Sequence, residues 1–315
     1  MEEKLFWISI ACGAYAFLLR WFVKKEARLQ DWRLTAAMHG IFWMLTGVVA
    51  GSLFVSYAER AELTWPLMAG LGAAGAVLGV LLRALRNRSS AEISWKLIRE
   101  DLEWADTGFS AILLASFIMY FFVQAFKIPS GSMRNTLMEG DHLFVNKFVY
   151  GVRIPYTTKK MARFRQVRRG DVVVFRFPTN DKRSPHYGKD FIKRAVALPG
   201  DTVEIRRKKL FVNGEPVVEP YTNFAEDYVI PPSRLFPEPG EFQKQWEIGA
   251  MAQLAGETVR DNFGPVTVPS GHYFVMGDNR DRSFDARFWG PLSDKYLKGR
   301  AWVVYLPIRR AKVIR

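Results

Sequence analysis

The chain has 315 residues, 49% of them hydrophobic, with a formal charge of +14 and a single cysteine. That length accommodates one sizeable soluble domain plus membrane segments, or two soluble domains. The lone Cys12 lies in the first apolar run, which excludes an intramolecular disulfide and a thiol nucleophile in the remainder of the chain.

Four apolar runs open the sequence, at residues 5–23, 34–57, 65–82 and 108–126, each near the ~20 residues that a bilayer helix needs. The start Met1-Glu2-Glu3-Lys4 and the length of the first run differ from a cleavable leader, so this run reads as a retained anchor. Arg20 snorkels to the interface in this reading, with Trp21 beside it as an aromatic anchor. Lys24, Lys25, Arg28 and Arg33 fall between the first two runs, and Arg83, Arg86, Arg88, Lys96 and Arg99 between the last two. Only Arg60 falls between the second and third. The positive-inside rule then predicts cytoplasmic basic loops and an exported segment 127–315. The stretch from Arg83 to Asp106, with Ile93, Trp95, Leu97, Ile98, Leu102 and Trp104, fits an amphipathic or ordinary connector helix on the cytoplasmic face.

Residues 1–126 hold 12 basic and 11 acidic side chains, leaving 33 and 20 beyond them, a net of +13. A basic exported domain beside its own anchor faces anionic lipid headgroups more readily than nucleic acid, although a merely soluble basic surface has the same composition.

After Lys127 the pattern changes to short β-branched and aromatic runs: Leu143–Val145, Asp171–Phe177, Asp190–Ala197, Thr202–Ile205, Leu210–Val212, Pro265–Val268, His272–Met276 and Ala301–Leu306. Asn213-Gly214, between Leu210–Val212 and Val217-Val218, predicts a tight hairpin turn. The expected fold is therefore about four N-terminal transmembrane helices followed by a mainly antiparallel β domain. An irregular insertion spans about 221–262, marked by Pro231-Pro232, Pro237 and Pro239-Gly240.

Three segments carry candidate chemistry. Ile128-Pro129-Ser130-Gly131-Ser132-Met133 follows the fourth run closely, which places its serines near a membrane surface in this reading. Lys193 sits in the apolar strand Phe191-Ile192-Lys193-Arg194-Ala195-Val196. If its side chain points inward, desolvation lowers its pKa toward the range of a general base. Composition alone favours the opposite, an exposed strand-edge lysine, because lysines are rarely buried. The third segment, Gly277 to Arg287, is dense in Asp, Asn and Arg. Asp278, Asn279, Asp281 and Asp285 offer oxygen ligands, but Arg280, Arg282 and Arg287 repel a cation and the EF-hand spacing is missing, so no metal is expected. His39, His142, His186 and His272 adjoin no Gly-x-Ser-x-Gly elbow, which disfavours a Ser/His triad.

Together these blocks resemble the bacterial type I signal peptidases. The resemblance covers most of 126–306 in order: Ile128–Leu137, Gly140-Asp141 through Lys147 to Tyr150-Gly151, Gly170–Phe175, Phe191–Val196 with Leu198-Pro199-Gly200-Asp201, and Gly277–Arg287 followed by Phe288-Trp289-Gly290. It implies Ser132 as nucleophile and Lys193 as general base. It also implies Ser130 with the Ser132 backbone N–H as oxyanion donors, and Ser283 as the serine orienting the lysine. Arg194, Asp278, Arg280, Asp285 and Arg287 form a supporting network, and Phe126, Ile128, Pro129, Leu137, Leu143 and Ile192 line the substrate pockets. No cofactor is implied. The implied substrates are preprotein signal peptides with small-x-small sites, the surroundings membrane phospholipid, and the link to the export machinery indirect. Asn135 stands where the family usually has proline, Arg282 where it has asparagine, and Ala286 where it has serine. Two other readings remain: a specialised Ser/Lys maturation protease of one secretion or conjugation system, and a non-enzymatic membrane scaffold that keeps the β fold.

Overall fold

The computed structural model describes residues 2–23, 32–58, 64–86, 100–153, 160–161, 163–233, 235 and 238–314. The chain divides into two compact units, Met1–Tyr120 and Phe121–Arg315.

The first unit is helical: α1 (Glu2–Val23), α2 (Trp32–Ala58), α3 (Trp65–Arg86), and a last helix comprising residues 100–104, a π-helical stretch Ala105–Phe109 and α4 (Ser110–Phe121). Glycines set the approach of α2 to α3. A side chain at Gly47 would strike the Leu71 carbonyl and the Gly75 Cα, and one at Gly75 would strike the Trp43 carbonyl and the Gly47 Cα. Small residues at such crossings let helix backbones touch without a hydrophobic driving force between them. Among the described residues, two windows are long and apolar enough to cross a bilayer, Trp65–Leu82 and Glu100–Met119, while α1 and α2 hold the shorter apolar stretches Trp7–Trp21 and Ala36–Ser52. Lys24, Lys25, Arg28, Arg60, Arg88, Lys96 and Arg99 lie outside the described residues, as do Ile93, Trp95, Leu97 and Ile98 of the expected connector helix.

The apolar run 108–126, read above as one span, divides. Its helix ends at Phe121, and Val123–Lys127 forms strand β1, which pairs antiparallel with β2 (His142–Asn146) and sets Phe126 opposite Leu143. A strand feeding a buried sheet and a membrane helix both read as unbroken apolar sequence, and nothing in Phe121-Phe122-Val123-Gln124 marks the switch.

The second unit is the expected antiparallel β domain. After the two-residue strands β3 (Val152–Arg153) and β4 (Lys160–Met161) come β5 (Val172–Arg176), β6 (Asp190–Ala197), β7 (Thr202–Arg206), β8 (Lys209–Val212), β9 (Glu215–Pro216), β10 (Phe263–Thr267), β11 (His272–Met276), β12 (Leu292–Ser293), β13 (Leu297–Leu306) and β14 (Lys312–Val313). The main sheet runs β1-β2-β13-β5-β6-β11-β12 with β14 on β13, and a second sheet runs β10-β7-β8-β9. Asn213 and Gly214 both adopt positive φ, 55° and 82°, as the tight turn requires. The strand beyond that turn is Glu215–Pro216 and not Val217-Val218, because two residues close the loop and pairing resumes at once.

The insertion at 221–262 is more regular than its prolines suggested. Pro239 opens helix α5 (Pro239–Glu247), where its missing N–H costs nothing, and α6 (Met251–Leu254) follows. Trp246 of α5 is fully buried in the main core, stacked on Phe274 at 5.5 Å, with Nε1 donating to the Ala286 carbonyl at 2.7 Å. The insertion thus anchors α7 (Ala286–Trp289) and the segment before it. Trp246→Ala is expected to cost the second unit about 3–5 kcal/mol, measurable as a lowered thermal midpoint of the detergent-solubilised protein. A midpoint within 1–2 °C of wild type, about the noise expected for a surface change, would show that α5 is not part of the core.

Candidate active site

β6 is central and covered on both faces, which fixes where its side chains go. Alternation sends Phe191 toward the larger hydrophobic core and Ile192 toward a second cluster around Ile128, Leu137, Leu143 and Val304. Lys193 lies on the Phe191 side at 4% exposure, opposite Val173 of β5, so the exposed strand-edge alternative is overturned. Its ammonium lies 5.5 Å from the Phe191 ring centroid.

Ser132 occupies a 3-10 turn, Gly131–Met133, entered from the extended Ser130 (φ −138°, ψ 154°). Lys193 Nζ donates to Ser132 Oγ at 2.7 Å, and both side chains are buried. Burial pulls the Lys193 pKa from its ordinary 10.5 to about 8, with Asp285 and Asp278 opposing the shift and Arg287 assisting it. With the amine neutral, the same separation lets the hydroxyl donate to nitrogen, the geometry a general base needs. No described hydrogen bond joins a histidine to Ser132: His142 packs edge-on to Tyr305, His186 lies among Phe177, Phe191 and Phe284, and His272 Nδ1 meets the Ser270 carbonyl.

The turn is held from outside its own sequence. Asn279 N–H donates to the Ser132 carbonyl at 3.1 Å, and Asn279 Nδ2 donates to the Gly131 carbonyl at 3.0 Å. Gly277, between β11 and this contact, has no room for a side chain, because a Cβ there would strike Ser283 Oγ and the Ser132 carbonyl. Sequence reasoning weighed Asn279 only as a metal ligand, and passed over Gly277.

The expected polar network is present and closely paired. Arg194 clamps Asp278 through Nε at 2.9 Å and Nη2 at 2.7 Å, donates to the Gly170 carbonyl at 2.8 Å, and stacks 3.8 Å from the Tyr221 ring centroid. Arg280 makes a two-point contact with Glu219 at 2.5 and 2.6 Å, and Tyr221 OH donates to the same carboxylate. Arg287 clamps Asp285 at 2.8 Å through both Nε and Nη2, and Asp285 also accepts the Gly277 N–H. Burial alone would raise the Asp285 carboxyl, but the Arg287 charge and these hydrogen bonds hold it below the usual carboxylate value. The carboxylates considered above as metal ligands thus face arginines, with Asp281 paired to Lys208 at 3.0 Å. Glu219, Tyr221 and Thr136, which donates to Asp278, were not foreseen.

Ser283 is buried with its hydroxyl beside Gly277, and no described hydrogen bond joins it to Lys193. Leu137 and Leu143 are fully buried, so they can floor a pocket but not line its surface, whereas Phe126 and Ile192 are half-buried and Pro129 and Ser130 exposed. Asn135 adopts φ 81°, which a proline cannot, and its Nδ2 donates to the Thr222 carbonyl at 3.2 Å.

A lysine with a depressed folded-state pKa leaves the unfolded chain binding more protons between about pH 8 and the unfolded value of ~10.4, so stability should rise across that window. Lys193→Met, which removes the desolvated charge, is expected to stabilise the protein below pH 8 by up to about 3 kcal/mol, and the gain should vanish toward pH 10.5. Thermal midpoints of both proteins across pH 6–10.5 check this. A pH-independent difference would show that Lys193 is not buried as a charge.

Comparison with known proteins agrees with this geometry. The family described as signal peptidase, peptidase S26, matches residues 101–306. The chain is 36% identical over 237 residues to signal peptidase I of Pseudomonas fluorescens, covering 70% of this chain and 78% of that protein. It is 35% identical over 241 residues to the Pseudomonas aeruginosa enzyme, with the same coverage of each. With signal peptidase I of Aquifex aeolicus it shares 35% identity over 225 residues, 62% of this chain and 81% of the relative. A chain with this fold, an apposed serine and lysine, and this similarity belongs to the signal peptidase family, peptidase S26, and is a serine endopeptidase.

Proposed function

We propose that this enzyme removes N-terminal signal peptides from exported preproteins at small-x-small (Ala-x-Ala) sites, with Ser132 as nucleophile and Lys193 as general base. The observation that carries the residue assignment is the 2.7 Å contact between a buried lysine amine and a serine hydroxyl. Neutral Lys193 takes the Ser132 proton as Oγ attacks the scissile carbonyl, and then gives it to the leaving amine. The oxyanion is held by the Ser132 backbone N–H and the exposed Ser130 hydroxyl, and Lys193 next activates the water that releases the acyl group. Phe126, Pro129 and Ile192 wall the pockets over the buried Ile128, Leu137 and Leu143. A closed floor leaves shallow space and favours small side chains.

The first unit anchors the enzyme through four spans. Two windows of sufficient apolar length and the glycine-packed α2–α3 pair support this reading. The Lys/Arg bias of the connecting loops supports a catalytic unit on the outer, periplasmic face of the cytoplasmic membrane. There the +13 charge of residues 127–315 meets anionic phospholipid, and contact with the export machinery is indirect, through the shared substrate.

Purified protein in detergent, incubated with a preprotein bearing an Ala-x-Ala site, should yield the mature N-terminus on sequencing. Ser132→Ala and Lys193→Ala should each lower kcat by at least about 10³-fold with folding preserved. Activity should rise to half-maximum near pH 8 as Lys193 loses its proton. A rate that climbs until about pH 10.4 would refute a desolvated base. Separately, a periplasm-active reporter should work when fused after Arg315 and fail when fused near Arg28 or Arg88; the reverse pattern would put the site on the cytoplasmic face.

A further inference from the structure

The last residues of the chain, beyond the family match at 101–306, fold back onto the catalytic unit. A 3-10 turn, Ile308–Arg310, leads into β14, which pairs with β13, and the Ile314 N–H donates to the Trp302 carbonyl at 2.8 Å. The Ile314 side chain, 2% exposed, joins the core cluster that contains Ile128, Leu137 and Leu143. Arg310 makes a two-point contact with Asp141, Nε to Oδ1 at 2.9 Å and Nη2 to Oδ2 at 3.1 Å. Asp141 is buried and also accepts the Met138 N–H at 2.8 Å. Its backbone then grips the strand that leads to the nucleophile: the Asp141 carbonyl accepts the Ile128 N–H at 2.9 Å, and the adjacent Gly140 N–H donates to the Ile128 carbonyl at 2.9 Å. Both polar groups of Ile128 are therefore committed to residues whose placement depends on the Asp141 carboxylate.

We propose that Arg310 is a positioning residue and that the C-terminal tail acts as a latch, fixing Asp141 and through it the Ile128–Ser132 segment in register with Lys193. No described hydrogen bond joins the tail to Ser132 or Lys193, so it reaches the reacting atoms through this chain of contacts and the packing of Ile314 beside Ile128. A carboxylate as buried as Asp141 is stable in place while a two-point, charge-assisted partner saturates it. Without that partner it must hydrate or rotate outward, because an unpaired buried charge costs more than the pair gains. Either movement slackens the Gly140 and Asp141 grip on Ile128. Small displacements of a nucleophile lower the rate steeply while leaving ground-state binding nearly intact. The half-exposed Arg310 itself contributes little packing, so its loss should not unfold the domain.

This inference rests on the assignment of Ser132 and Lys193, so its test has a readout that does not depend on catalysis. In the full-length protein in detergent, Arg310→Ala should speed amide hydrogen exchange at Ile128 by about tenfold or more, while Val145 and Val173, on strands paired on both sides and away from β14, keep their protection. The same variant should lower kcat on a preprotein about tenfold with KM within twofold, and Arg310→Lys, which keeps the charge but not the fork, should recover part of both losses. Unchanged exchange at Ile128 in Arg310→Ala, or kcat within twofold of wild type, would overturn the latch. So would equal losses in the alanine and lysine variants. If Ser132→Ala retained activity, the assignment of the nucleophile would fail while the exchange result still reported on the latch.

Discussion

Everything in the catalytic unit is arranged around one costly act, the burial of the Lys193 amine between two covered faces of a sheet. An ammonium in that position has lost its water: Ser132 Oγ lies 2.7 Å away and the Phe191 ring centroid 5.5 Å, and among the described residues no carboxylate forms a salt bridge with it. The fold tolerates this because the neutral amine is the stable form in mildly basic solution, with the pKa brought to about 8. Under the proposed assignment, the stability lost below that pH returns as a base that works without histidine.

The surrounding ion pairs follow from the same constraint. Asp278 and Asp285 are close enough to pull the lysine pKa back up, yet each is occupied by an arginine, Asp278 by Arg194 and Asp285 by Arg287. Their charge is thus shared with guanidinium groups in two-point geometry, and their pull on Lys193 is outweighed by burial, with the Arg287 charge assisting. The arginines in turn do mechanical service: Arg287 also ties the Arg260 and Arg280 carbonyls, and Arg280 reaches Glu219. The loop carrying Asn279 is thereby rigid enough to hold the Ser132 turn by two hydrogen bonds.

How much of this was legible depends on the sequence range of the forces involved. β6 could be read from the aromatic and aliphatic residues of Asp190–Ala197, and the Asn213-Gly214 turn from two residues whose backbone preference is local. The burial of Lys193 could not, because lysine composition argues for exposure and only the resemblance of the flanking blocks argued otherwise. The end of the fourth helix was missed for a related reason: Phe121 to Phe126 is apolar in both a helix and a strand, and β2, which decides between them, lies some twenty residues away. Trp246 gave a signal, a proline-started amphipathic turn, but its partner Ala286 is 40 residues distant. The grip of Asn279 on Gly131 joins positions 148 residues apart and leaves no local pattern at all.

One departure from the family pattern, Asn135, becomes intelligible at this level. Proline fixes φ near −65°, yet Asn135 sits at φ 81°, a region asparagine enters more readily than most residues, and its amide finds a partner across the fold. Here that partner is the Thr222 carbonyl. The same stretch, Glu219 to Asn223, also supplies the carboxylate for Arg280, the ring beneath Arg194, and, through Asn223, a parallel bridge to Asn279. A substitution on the nucleophile's own loop is thus matched to a segment that braces the loop's other support. The turn bearing Ser132 is gripped on one side by Asn279 and steadied on the other by Asn135, so the hydroxyl is held toward a lysine that has no other described hydrogen bond. Positioning of this kind matters to a Ser/Lys pair whose lysine makes no described hydrogen bond to a third side chain, because the backbone then carries much of the work of aligning the hydroxyl with the amine.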